Sequence, residues 1–117
     1  MSVRRARNRK VAAIPSEVSS KFRRLMSFFL IAYDLIGSDE SSADYRRLIE
    51  HIEDRYTNVK VLYSTFIVST DLTHVDVRDD VADYVDDDDR LFVAQLSGAS
   101  AWHNIICPDD ALKAFLR

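Results

Sequence analysis

The chain is poor in the residues that mark most elaborate sites. It holds one cysteine among 117 residues, which excludes an internal disulfide framework and points to a reducing, cytoplasmic compartment or at most an intermolecular bridge. Two glycines and two prolines leave no linker or low-complexity tract. They also exclude the backbone cradles of nucleotide folds, since neither GxGxxG nor GKS/T occurs. No run approaches the roughly 18 apolar residues of a membrane helix, so no membrane partner is expected. What remains is a chain with 47% hydrophobic residues and a single domain's length, whose core is adequate but gains from dimerisation.

Charge divides the chain. Residues 1–25 carry eight Lys/Arg against Glu17, a balance of +7, whereas residues 26–117 carry eight Lys/Arg against eighteen Asp/Glu, a balance of −10. The arm 1–25 has no sustained hydrophobic period and is expected to be mobile and dispensable for folding. Its apolar stretch Val11 to Ile14 is too short for a secretory signal. It reads either as a phosphate-binding arm acting through counterion release or as a dispensable tail, with Met26 a candidate start. The acidic remainder repels nucleic acid unless metal ions or the arm intervene.

Hydrophobic periodicity then orders the elements. FFLIAYDL, residues 28–35, is short, apolar and aromatic, as a strand covered on both faces should be. After Gly37, Ser41-Ser42-Ala43-Asp44 offers a helix start, and Tyr45, Leu48, Ile49, Ile52 and Tyr56 make one stripe that Asn58 can close in a left-handed conformation. Residues 59–70 are rich in β-branched and aromatic side chains, which fits one long strand or a tight hairpin, and the lack of Gly, Pro or Asn inside favours one strand, bent near Tyr63-Ser64. Thr73 and Asp76 begin a second helix bearing Val77, Val81, Tyr84 and Val85, which stops in the loop Asp86 to Asp89. LFVAQL after Arg90 is a further strand, AWHNIIC an edge strand, and Asp109 to Leu116 a terminal helix. The order implies an α+β fold of the split βαβ kind, with two helices on one sheet face and the other face left for a second copy.

Asp34 is the most informative residue, because a carboxylate ending an apolar strand needs a hydrogen bond, an ion partner or a metal. The succession FFLIAYDL, YRRLIEHIEDRY, VKVLYSTFIV and DDDDRLFVAQL, over about residues 26–105, resembles the small CRISPR-associated protein that partners the integrase in spacer acquisition. It is more similar still to the stand-alone bacterial relatives termed SinR-like. The resemblance implies a ferredoxin-like fold, a hairpin within 59–70, and a homodimer through facing sheets that brings one strand-end aspartate per protomer to the axis. It also implies either Mg²⁺- or Mn²⁺-dependent cleavage of RNA or DNA, or a non-catalytic DNA-binding scaffold beside an integrase-type partner. Asp34 matches the catalytic, metal-binding aspartate, Arg46 and Arg47 the basic pair, and Ser64 and Phe66 the Ser-x-Phe element. The chain departs from the family in Leu62, where glutamine commonly precedes the serine by two, and in its acidic body.

Two readings therefore stand beside each other. In one, Asp34 holds the metal of an endonuclease and Arg46, Arg47 or Ser64 contacts phosphate. In the other, Asp34 accepts backbone N–H groups in the strand-to-loop turn, and the protein is a dimeric module in a bacterial defence or mobile-element system. Elsewhere His51 reads as solvated, Trp102 as a dimer-edge anchor, Cys107 as a small buried hydrophobe and Asp86 to Asp89 as a solvated loop.

Overall fold

Strand β1 (Ser27–Asp34) lies at the heart of the sheet because its side chains are apolar on both faces. In the computed structural model, which describes residues 26–37 and 42–117, it is followed by α1 (Ala43–Arg55), β2 (Thr57–Leu62), β3 (Thr65–Thr70), α2 (His74–Ala82), β4 (Arg90–Leu96) and α3 (Asp109–Phe115). The proposed arm 1–25 and Ser41 lie outside the described residues. The strands form one antiparallel sheet in the order β2-β3-β1-β4, so the architecture is α+β, with β1 flanked by β3 and β4.

Helices α1 and α2 begin with side-chain caps. Ser42 Oγ accepts the Tyr45 amide at 3.3 Å, and Thr73 with Asp76 forms the reciprocal box. Their apolar stripes, Leu48 and Ile52 from α1 and Val77 and Val81 from α2, bury Phe29, Ile31, Phe66 and Val68 of the sheet's inner face. Each such side chain removed from water contributes about 1.5–3 kcal/mol, so this layer holds most of the hydrophobic stabilisation.

Four expectations need correction. Residues 57–70 form a hairpin, the alternative that the family resemblance implies and that the residue pattern allows but disfavours. Neither Tyr63 nor Ser64 takes a positive φ, so the turn needs no Gly or Asn, and the register shift between Lys60 and Leu62 absorbs the twist that such a turn leaves unmatched. Asn58 is not a left-handed cap. It lies in β2, and α1 ends at an extended Tyr56 whose carbonyl the Asn58 amide contacts at 2.9 Å. AWHNIIC is not a strand, since its link to the sheet edge is the Ile106 amide bonded to the Val61 carbonyl at 3.0 Å.

The fourth correction concerns the second sheet face, which the chain itself partly covers. Leu112, Phe115, Leu116, Trp102 and Ile105 pack on Phe28, Val61, Ile67 and Leu96. Trp102 thus anchors its own chain, with its indole N–H donating to Asp109 at 3.2 Å, and Cys107 is half-buried in the same cluster. The fit is loose, because an apolar cavity of about 330 Å³ persists between Leu30, Ile67, Trp102 and Leu112. At the other end of the sheet Ile36, Leu62, Tyr63 and Phe92 are exposed, Phe92 by 63%. Among the described residues no helix is long and apolar enough to cross a membrane.

Candidate functional site

Alternation along β1 decides where Asp34 goes. Phe29, Ile31 and Tyr33 turn toward the helices, so Asp34 emerges on the second face, at the end that the C-terminal segment leaves open. The neighbouring strands complete a cleft of about 240 Å³ there. The Tyr33 amide bonds the Ser64 carbonyl at 3.1 Å, which fixes the start of β3 on one side. On the other side, antiparallel register sets Arg90 opposite Asp34 and Phe92 opposite Ala32. Ser64, Thr65, Asp34, Arg90 and Phe92 thus line one depression across three strand ends.

Asp34 is exposed, and its carboxylate takes no hydrogen bond or ion pair from another described residue. The turn that follows it is held by other side chains. The Leu35 amide donates to the Tyr45 hydroxyl at 3.1 Å and the Ile36 amide to Asp89 Oδ1 at 2.8 Å. The turn-capping role therefore belongs to Asp89, whose other oxygen accepts the Asp86 amide at 2.8 Å. This partly corrects the reading of Asp86 to Asp89 as a merely solvated loop. Ligand atoms of Asp86, Asp88 and Asp89 lie within 4.8 Å of one another, a spacing that a cation can bridge, but Asp89 already spends both oxygens on backbone amides.

Of the residues that sequence singled out, Ser64 joins Asp34 in the cleft. Arg46 and Arg47 do not. They occupy the exposed side of α1, in the helix layer on the opposite face of the sheet, because the inward stripe is taken by Tyr45, Leu48 and Ile52. Phe66 is fully buried and stacks with Tyr33 at 6.5 Å, so it builds the core beneath the cleft. Sequence reasoning missed Arg90 and Phe92, whose relation to Asp34 exists only through the β1–β4 register.

A second polar cluster lies between the helices and corrects the solvated reading of His51. Its Nε2 is 2.8 Å from Asp80 Oδ2, the Tyr56 hydroxyl donates to the same oxygen at 2.6 Å, and the imidazole stacks on Tyr84 at 4.0 Å. Burial alone would push the Asp80 carboxyl up. The hydrogen bonds from His51 and Tyr56, with the charges of His51 and Arg55, outweigh it and hold the group below its ordinary value of 3.8. An ionised carboxylate only accepts, so His51 carries its proton on Nε2. The signal in the sequence was a carboxylate at 80 between stripe residues Val77 and Val81.

No protein-family model matches the chain, and no solved structure matches it.

Proposed function

We propose that this protein is a small divalent-metal-dependent endonuclease of the CRISPR-associated, SinR-like type, acting on RNA or DNA in the cytoplasm as a homodimer. The observation that carries the reading is Asp34, an exposed carboxylate at a strand end, unengaged by any described residue, in a turn that Asp89 and Tyr45 already satisfy. A structural aspartate would be expected to hold that turn itself. The strand order β2-β3-β1-β4, with α1 and α2 on one face, is the order a ferredoxin-like βαββαβ chain takes, which agrees with the same family reading.

The donor set fits Mg²⁺ or Mn²⁺ only in pairs. Among the described residues, the cleft of one chain offers the Asp34 carboxylate and the Ser64 hydroxyl, whereas an octahedral hard cation takes six oxygens. Two copies meeting over exposed Leu62 and Phe92 would bring a second Asp34, and water and substrate phosphate would complete the shell. The ion would supply Lewis acidity and an activated water. The residues of the chain hold and orient: Asp34 fixes the centre, and Ser64 offers a hydroxyl to a phosphate oxygen.

Cleavage of short RNA and DNA in Mg²⁺ tests this. Asp34→Asn should keep the fold and abolish activity, and cleavage at the wild-type rate would sink the proposal. The charge of −10 over residues 26–117 favours the second reading, a non-catalytic dimeric scaffold beside an integrase-type partner, if the wild-type chain does not cleave.

A further inference from the structure

We propose that the Asp34 cleft is a phosphate site in which Arg90 binds the oxyanion of the nucleic-acid chain. The inference deepens the reading of Asp34 as a metal carboxylate and rests on it for the identity of the ligand, but it concerns another residue and a step that needs no metal. Residues 26–117 contain eight Lys/Arg, of which Arg117 is the C-terminal residue and does not line the cleft. Arg46 and Arg47 belong to the helix layer, Arg55 lies over the Tyr56 ring, Lys60 over the Phe66 ring, and Arg78 pairs with Asp79 at 2.8 Å. Lys113 borders a separate pocket with Phe28, Leu96 and Trp102, at the end of the sheet away from Asp34. Arg90 is the cation that lines the Asp34 cleft among the described residues.

Its placement follows from register. Arg90 opposes Asp34 across β1 and β4, while the next pair, Tyr33 and Leu91, packs toward the helices. Arg90 and Asp34 therefore share the second face, with Ser64 on the far side of β1. No ion pair joins Arg90 to another described residue, so its forked N–H donors remain available for two phosphate oxygens. The cleft sits in a body of net charge −10, which disfavours phosphate overall. One guanidinium beside the carboxylate is then the local group that admits it.

Anisotropy of a short fluorescein-labelled single-stranded oligonucleotide, titrated with full-length protein in EDTA, tests the proposal. Arg90→Gln should weaken binding about tenfold or more, the usual effect of losing hydrogen bonds to a charged group. Arg90→Lys, which keeps the charge and loses the fork, should fall between. The Arg46→Gln/Arg47→Gln pair should change affinity less than Arg90→Gln. Asp34→Asn should tighten metal-free binding, since it removes a like charge beside the phosphate, and adding Arg90→Gln should cancel that gain. In cleavage assays Arg90→Gln should raise KM more than it lowers kcat. Wild-type affinity in a folded Arg90→Gln protein would overturn the inference while leaving the metal role of Asp34 intact. Conversely, weakened binding by Arg90→Gln with undiminished cleavage by Asp34→Asn would keep the phosphate site and remove Asp34 from the cleavage step.

Discussion

Removing the Asp80 carboxylate should be among the most destabilising single changes in the helical layer. Asp80 is 3% exposed and receives hydrogen bonds of 2.8 Å from His51 and 2.6 Å from Tyr56. Bonds to a charged acceptor contribute about 1.5–3 kcal/mol each. His51 keeps some access to water, with its side chain 15% exposed, so its loss lies toward the lower end, whereas the Tyr56 hydroxyl is buried. Together these give about 3–5 kcal/mol for Asp80→Ala, the range found when one partner of a buried charged pair is deleted. Urea denaturation followed by circular dichroism measures it directly. In a domain of this size the melting temperature should fall by about 12 °C or more. Asp80→Asn, which keeps an acceptor, should cost about half as much. A loss below about 1 kcal/mol for Asp80→Ala would refute the assignment of Asp80 as the link between α1 and α2.

The lowered Asp80 pKa fixes a pH dependence. The group binds its proton more readily when unfolded, so its stabilisation is present above the ordinary value of 3.8 and fades as pH falls through the lower folded value. Acid denaturation curves should show that loss in the wild type and a flatter profile in Asp80→Asn. Phe92→Glu, at an exposed site, should change monomer stability by less than about 0.5 kcal/mol yet shift light-scattering mass toward a single chain, if the open end of the sheet joins two copies. Leu112→Ala should cost about 2 kcal/mol, the low end for a buried leucine, because it borders a cavity that already exists, and a loss near 5 in urea denaturation would contradict the loose packing.

Local signals made the elements legible, and pairing signals did not. The stripe from Tyr45 to Ile52 and the Thr73–Asp76 box place the starts of α1 and α2 because helix period and caps are written within a few residues, whereas α2 ends at Ala82, short of the Tyr84 and Val85 that the stripe had included. The hairpin escaped because Tyr63-Ser64 turns without the glycine or asparagine that a positive φ would demand. The C-terminal cover escaped because Leu112, Phe115 and Leu116 read as a short helix with no indication of which face they meet. The same divide runs through the site. Asp34 was conspicuous as a charge ending an apolar strand, whereas Arg90, 56 positions later, becomes its neighbour only through antiparallel register. Asp80 was passed over as one carboxylate among many, although its position within a buried stripe distinguished it.

The central claim is that two Asp34 carboxylates share one divalent ion, and Mn²⁺ binding stoichiometry tests it most directly. Calorimetric titration of the full chain should give one ion per two chains, and Asp34→Asn should abolish it. Alanine at both Asp86 and Asp88, which lie in the neighbouring acidic loop, should leave that binding in place. One ion per chain that survives Asp34→Asn and disappears with the loop substitutions would place the metal in the acidic loop and contradict the account.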